Sequence, residues 1–166
     1  MEFQMQNEVR KLINSRGEFH EALRAAFAEV VTHACRQVWL CDTDFADWPL
    51  NEPGVIDNLT QWAQPHRKMV VLAQNFDDLM RRHPRWVAWR RQRANVVECR
   101  IVEPMEQGQM PVLLTAPGLV TVKLVDAVRH RGTCSHQAAD GRLASELIDA
   151  VLQRSAEAFP ATTLGL

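Results

Sequence analysis

Two carboxylates two residues apart, Asp42 and Asp44, follow the short apolar run Val38-Trp39-Leu40-Cys41. Paired carboxylates can serve as general acid and base, and in open α/β sheets ligands bind beyond the carboxyl ends of strands. The competing reading is structural, because aspartate commonly caps the turn after a strand. Cys134 and His136, with His130 nearby, match no zinc spacing, so no metal or cofactor is expected. The clearest charge cluster is Arg81, Arg82, Arg85, Arg90, Arg91 and Arg93, set against Asp77 and Asp78. Trp86 and Trp89 lie three apart within it and share one side. Arg85, Trp86, Trp89 and Arg90 therefore form a candidate basic patch for phosphate, or for single-stranded nucleic acid by stacking. Otherwise the tryptophans pack on a sheet while the arginines keep their charged heads in water. His20, His33, His83, His130 and His136 have no partner spacing that singles them out. The chain carries no G-x-S-x-G, Walker loop, G-x-G-x-x-G or H-E-x-x-H.

The scaffold around these residues is legible from periodicity. Ser15 and Glu18 have capping-box spacing. Phe19, Leu23, Phe27, Val30, Val31 and Ala34 then recur as one face of an amphipathic helix of about five turns. The run at 38–41 suits a strand buried on both faces, as in a parallel sheet. Residues 45–54 read as a loop, with Asn51 as cap of the next helix and Pro53 in its first turn. Val55, Ile56, Leu59, Trp62 and Ala63 mark that helix, and Met69-Val70-Val71-Leu72 the next strand. Strand, helix and strand make a right-handed crossover. Residues 76–93 are helical with a break at Pro84. Val96, Val97, Cys99 and Ile101 give a third strand, from which Arg100 alternates out toward a cleft. After a polar loop at 103–110, Val112-Leu113-Leu114 reads as a short strand stopped by Pro117-Gly118. Residues 119–125 and 128–134 then read as an antiparallel hairpin around Asp126-Ala127. Gly141 opens the last helix, with Leu143, Leu147, Ile148, Val151 and Leu152 on its apolar face.

At 166 residues the chain fits a single domain. We divide it into a polar N-terminal segment (1–14), a globular domain (15–158) and a surface tail (159–166). The polar start at 1–8 is expected to fray. Hydrophobic content of 46% and charged content of 23% are those of an ordinary globular protein. A net charge of −1 argues against general affinity for nucleic acid or anionic membrane. The sequence reads without a signal peptide and without an apolar run of membrane-spanning length. The four cysteines contain no C-x-x-C pair and read as reduced thiols, so a cytoplasmic location is expected.

The order helix, strand, helix, strand, helix, strand, hairpin, helix resembles one half of the phospholipase D fold. The segments that carry the resemblance are residues 18–23, 38–45 and 121–126, and the ending from 146 to 166. They are similar to a bacterial family of unassigned activity built on that half, which in some relatives follows an acetyltransferase domain. The resemblance implies an α/β fold, a mixed and mostly parallel sheet flanked by helices. Phospholipase D enzymes act through His-x-Lys-x4-Asp. At the corresponding place here stands Thr121-Val122-Lys123, with Val128 at the aspartate position and Asp126 two residues early. The single His-x-Lys, at 66–68, has Ala73 where aspartate belongs. Two of the three motif positions are lost, and a phosphohistidine mechanism with them.

The expectation is a non-catalytic binding or regulatory module, pairing as a homodimer or with a protein partner and away from membranes. Its cleft candidates are Asp42, Asp44, Arg100 and Lys123. The alternatives are a degenerate phosphodiesterase using His66 beside Lys68, and a nucleic-acid-binding accessory protein using the arginine helix at 81–93.

Overall fold

The computed structural model describes residues 10–104 and 110–157. It opens on a short strand, β1 (Arg10–Ile13). Helix α1 (Arg16–Thr32) then begins as its capping box dictates: the Glu18 backbone N–H donates to Ser15 Oγ at 3.1 Å. Glu18 reaches back one residue further than the motif requires, and its carboxylate accepts from the Asn14 N–H at 2.6 Å. The helix leads into strand β2 (Gln37–Cys41). Helix α2 (Pro53–Trp62) crosses to strand β3 (Lys68–Ala73). Helices α3 (Asp77–Arg82) and α4 (Pro84–Arg91), divided at Pro84 as expected, lead to strand β4 (Val97–Val102). Strands β2, β3 and β4 pair in parallel.

The remaining strands overturn the expectation of a mostly parallel sheet. Strands β5 (Val112–Ala116), β6 (Val120–Asp126) and β7 (Arg131–Ser135) form an antiparallel meander. Its turns are too short for the crossover that parallel pairing needs. Strand β1, which the sequence reading placed in the polar N-terminal segment, is an edge strand antiparallel to β7. Ser155–Glu157 forms a second edge strand, β8, antiparallel to β4. Among the described residues the eight-stranded sheet runs β1-β7-β6-β5-β2-β3-β4-β8, and it is mixed but largely antiparallel.

Alternation of side chains divides the core. Val38, Leu40, Met69, Val71, Val97, Val122 and Leu124 pack beneath α1–α4, joined by Phe19, Leu23, Phe27, Trp62 and Trp86. Val70, Leu72, Cys41 and Leu113 face the opposite way, against Ala144, Ile148 and Val151 of helix α5 (Ala138–Leu152). Helices therefore cover both faces, which explains the continuous apolar runs. Helix α5 starts at Ala138, ahead of the Gly141 start read from the sequence.

Two local expectations are corrected. Asn51 does not cap α2, whose N-cap is Glu52; its side-chain oxygen instead accepts from the Arg85 N–H of α4 at 2.9 Å. The β6–β7 turn spans residues 127–130 rather than two residues. Asp126 Oδ1 accepts from the Arg129 N–H, and His130 takes a left-handed conformation at φ 53°. An Asp-Ala pair lacks the glycine that a two-residue hairpin turn prefers. The expected fraying at residues 1–8 and the surface tail at 159–166 lie outside the described residues, as does 105–109 of the polar loop.

The hairpin's close approach is testable at Gly132. A Cβ there would lie 1.9 Å from the Lys123 carbonyl oxygen and 2.7 Å from Leu124 Cα, both backbone atoms. Gly132→Ala is expected to lower stability to urea by about 2 kcal/mol or more, as overpacking does. Gly54→Ala, whose Cβ would meet nothing within 4 Å, should leave stability unchanged or raise it by up to about 1 kcal/mol. Equal urea midpoints for the two variants would contradict the packing.

Candidate functional site

The chain beyond β2 folds back on itself. Asp42 Oδ1 accepts from the Thr43 N–H at 2.6 Å, and Asp42 Oδ2 from the Trp48 indole N–H at 2.9 Å. Asp44 Oδ1 accepts from the Ala46 N–H at 3.0 Å, an Asx turn. Phe45, which follows, is fully buried with φ 58°, a conformation unusual for a bulky side chain. Such strain costs on the order of 1–3 kcal/mol and persists only where the surroundings hold it. Here they do so through the Trp48 ring, 4.8 Å from the Phe45 ring, and through His83 Nε2, 2.8 Å from the Phe45 carbonyl oxygen. Both aspartates thus form the turn, the structural role that aspartate commonly takes after a strand.

A small cleft of about 200 Å³ remains, lined by Asp42, Asp44, Asp47, His130, Val112 and Leu124 among others. Burial pushes the Asp42 carboxyl up to about 6; hydrogen bonds from Thr43, Trp48 and Phe45 only partly oppose it, and the Asp44 charge adds to it. Burial also acts upward on Asp47, but Arg16 at 2.9 Å and His130 at 3.0 Å outweigh it and hold that carboxyl below its usual range. His20 sits against the Asp47 carbonyl oxygen, and burial lowers its pKa. All three carboxylates of the cleft are therefore engaged by groups of the protein itself.

Arg100 and Lys123 do not join this cleft. Arg100, expected to point into it, lies on the α5 side of the sheet. Its Nε donates to Ser155 Oγ at 2.7 Å, its Nη2 to the Ser155 carbonyl at 3.2 Å, and its Nη1 to Glu98 at 2.9 Å. It fastens the edge strand β8. Lys123 projects on the same side as Thr121, half-buried, with Asp140 in its field. Thr121, at the histidine position of the phospholipase D spacing, is buried and shares a 2.8 Å hydrogen bond with Thr115 Oγ1. Val128, at the aspartate position, is 85% exposed on the hairpin turn. His66 is exposed with φ 75° in the turn before β3, at the opposite end of the sheet from Asp42. Lys68 Nζ pairs with Glu98 at 3.4 Å. No base is placed to activate His66 among the described residues.

The basic aromatic patch also separates. Trp86 is wholly buried, Trp89 is 5% exposed and Arg90 is 4% exposed, so neither ring offers a free face to a base. The three-residue spacing puts both tryptophans on one side, and that side faces inward. Arg90 lies beside the Cys99 thiol, which burial pushes up to about 12. Arg85 alone of the four stays exposed; its Nη1 donates to the Asn51 carbonyl at 3.0 Å.

A different basic surface lies at the amino ends of the parallel strands. Backbone hydrogen bonds stitch these ends together: the Lys68 N–H donates to the Arg36 carbonyl and the Met69 N–H to the Val96 carbonyl, both at 2.8 Å. The Val96 and Val97 N–H groups donate to the Arg93 carbonyl. Arg36 and Arg67 with Lys68 therefore open the adjacent strands β2 and β3, which lie about 5 Å apart, and Arg93 begins the turn into β4. Arg91 stands two residues ahead of Arg93, in the last turn of α4. Arg36 and Arg91 are exposed and make no ion pair among the described residues. Arg67 is held by the Trp62 carbonyl at 2.6 Å. Sequence reading missed this row because its members are scattered; the signal present was a basic residue just ahead of each apolar run.

No family model and no curated protein matches the sequence. Among solved structures the chain is similar to TrmBL2, an archaeal chromatin protein with a novel mode of DNA binding. The TM-score is 0.62 at 12% identity, covering 90% of this chain and 54% of the TrmBL2 chain. The likeness is one of fold, and this chain spans about half the length of that protein. No helix among the described residues is long and apolar enough to cross a membrane.

The environment of Asp42 has a pH signature. Its folded pKa of about 6 lies above the ordinary 3.8, so ionisation opposes folding. The stability this group lends is fully present below about pH 4 and is lost as pH rises through about 6. The Trp48 indole N–H resonance is expected to titrate with a midpoint near 6, and Asp42→Asn should abolish that step. A midpoint near 4 would mean that the carboxyl is solvated.

Proposed function

We propose that this chain is a non-catalytic, nucleic-acid-binding accessory module of phospholipase D-like fold. In this reading it grips the phosphate backbone with the amino ends of β2, β3 and β4. The observation that carries the reading is the row of Arg36, Arg67, Lys68, Arg91 and Arg93, whose four guanidinium groups have no carboxylate partner among the described residues. Contacts from such groups to phosphate supply affinity through counterion release and fix position without reading bases.

The small net charge does not oppose this, because the charges are segregated. Asp42, Asp44 and Asp47 gather at the carboxyl end of the parallel strands, away from the arginine row. Burial of Trp86 and Trp89 removes the stacking platform that single strands favour, which supports duplex as the ligand. The likeness of fold to TrmBL2, a protein that binds DNA, also supports the reading. Thr121 at the histidine position, engaged by Thr115, supports the absence of phosphohistidine chemistry.

Fluorescence anisotropy of a labelled duplex across a salt series tests the proposal. Binding is expected at roughly 1–100 μM, as for non-specific complexes at physiological salt, weakening steeply as salt rises. Arg36→Ala with Arg91→Ala should reduce the slope of log K against log salt by about two, since each arginine that neutralises a phosphate adds close to one. Absence of saturable binding at about 100 μM protein in low salt, where phosphate contacts are strongest, would refute the reading.

A further inference from the structure

Helices α2 and α4 lie side by side and flank an open groove. Ile56 and Asp57 of α2 line it from one side, Ala88 and Trp89 of α4 from the other. Arg85, in the first turn of α4, and Arg93, two residues past its last, also line the groove. The α4 contributors, Arg85, Ala88 and Trp89, recur at i, i+3 and i+4 and so share one face.

Each arginine is anchored on one side only. Arg85 donates from Nη1 to the Asn51 carbonyl at 3.0 Å, and its backbone N–H is taken by Asn51 Oδ1. The Arg93 guanidinium sits over the Trp89 ring, 5.8 Å from its centroid. Their remaining side-chain N–H groups are engaged by no described residue. A guanidinium already held in place loses less freedom on binding, and its planar fork matches phosphate. Asp57, lining the α2 side, repels a phosphate beside it, so the two guanidinium groups are where phosphate is favoured.

We propose that the α2–α4 groove is a backbone seat for nucleic acid, with Arg85 and Arg93 each taking a phosphate of one strand. This rests on the nucleic-acid reading and extends its surface from the arginine row along the helices, with Arg93 common to both.

The test is anisotropy of the same labelled duplex with Arg85→Gln/Arg93→Gln and Arg85→Lys/Arg93→Lys, both checked for an unchanged thermal melt. If the groove is a seat, the Gln pair lowers the salt slope by about two and the Lys pair keeps it, since the slope counts neutralised phosphates. A slope unchanged in the Gln pair, or lowered by only about one as loss of Arg93 from the row alone would give, while wild type binds and Arg36→Ala/Arg91→Ala weakens binding, would overturn the groove and leave the nucleic-acid reading standing. The groove also falls as a duplex seat if a free mononucleotide quenches tryptophan fluorescence in wild type and not in the Gln pair while the duplex slope stays unchanged. The two arginines would then serve small phosphates. No duplex binding by wild type would overturn both readings.

Discussion

The Trp48 indole N–H, given to Asp42, closes the carboxyl end of β2. Much of the molecule is arranged to support that contact. Phe45 is turned inward at positive φ, and His83 reaches its carbonyl from the break between α3 and α4. Asp47 ties the loop to Arg16 of α1 and to His130 of the hairpin. Open α/β sheets usually leave a crevice where this loop lies. Here Phe45 and Trp48 pack inward, and the carboxylates are taken up by backbone N–H groups, an indole, Arg16 and His130.

Closure at one end makes the other end the informative surface. The amino ends of β2, β3 and β4 are held in register by backbone hydrogen bonds, so the side chains that open those strands are ordered neighbours. Arg36 and Arg67 are distant in sequence and come together at the openings of β2 and β3, and Arg93 leads into the neighbouring β4. Lys68 adds a charge softened by Glu98, and such an exposed pair contributes little to stability. A near-neutral chain can in this way present a cationic surface, because several of its carboxylates are concentrated elsewhere.

Local chemistry is legible in the sequence and strand pairing is not. Ser15 with Glu18, the break at Pro84 and the apolar runs of β2, β3 and β4 all follow from short-range rules, and the structure bears them out. Strands β1 and β8 are too short and too polar to show a period, so nothing in their residues announces the antiparallel edges. Asn51 has the right chemistry for a cap, but only the fold brings α4 to it. At the candidate site, the turn role of Asp42 and Asp44 is legible, while the burial that raises Asp42 depends on Trp48 and the distant hairpin. Arg100 reads as facing a cleft because alternation gives a side of the sheet and says nothing of a late edge strand such as β8.

The decisive measurement is to map a duplex oligonucleotide onto the ¹⁵N-labelled protein by amide and arginine side-chain chemical shifts at low salt. Perturbations are expected at Arg36, Arg67, Lys68, Arg91 and Arg93, with the loop from Asp42 to Trp48 unmoved. Perturbations centred on Asp42 and Asp44, or none at saturating duplex, would contradict a cationic strand-end surface as the place where this protein acts.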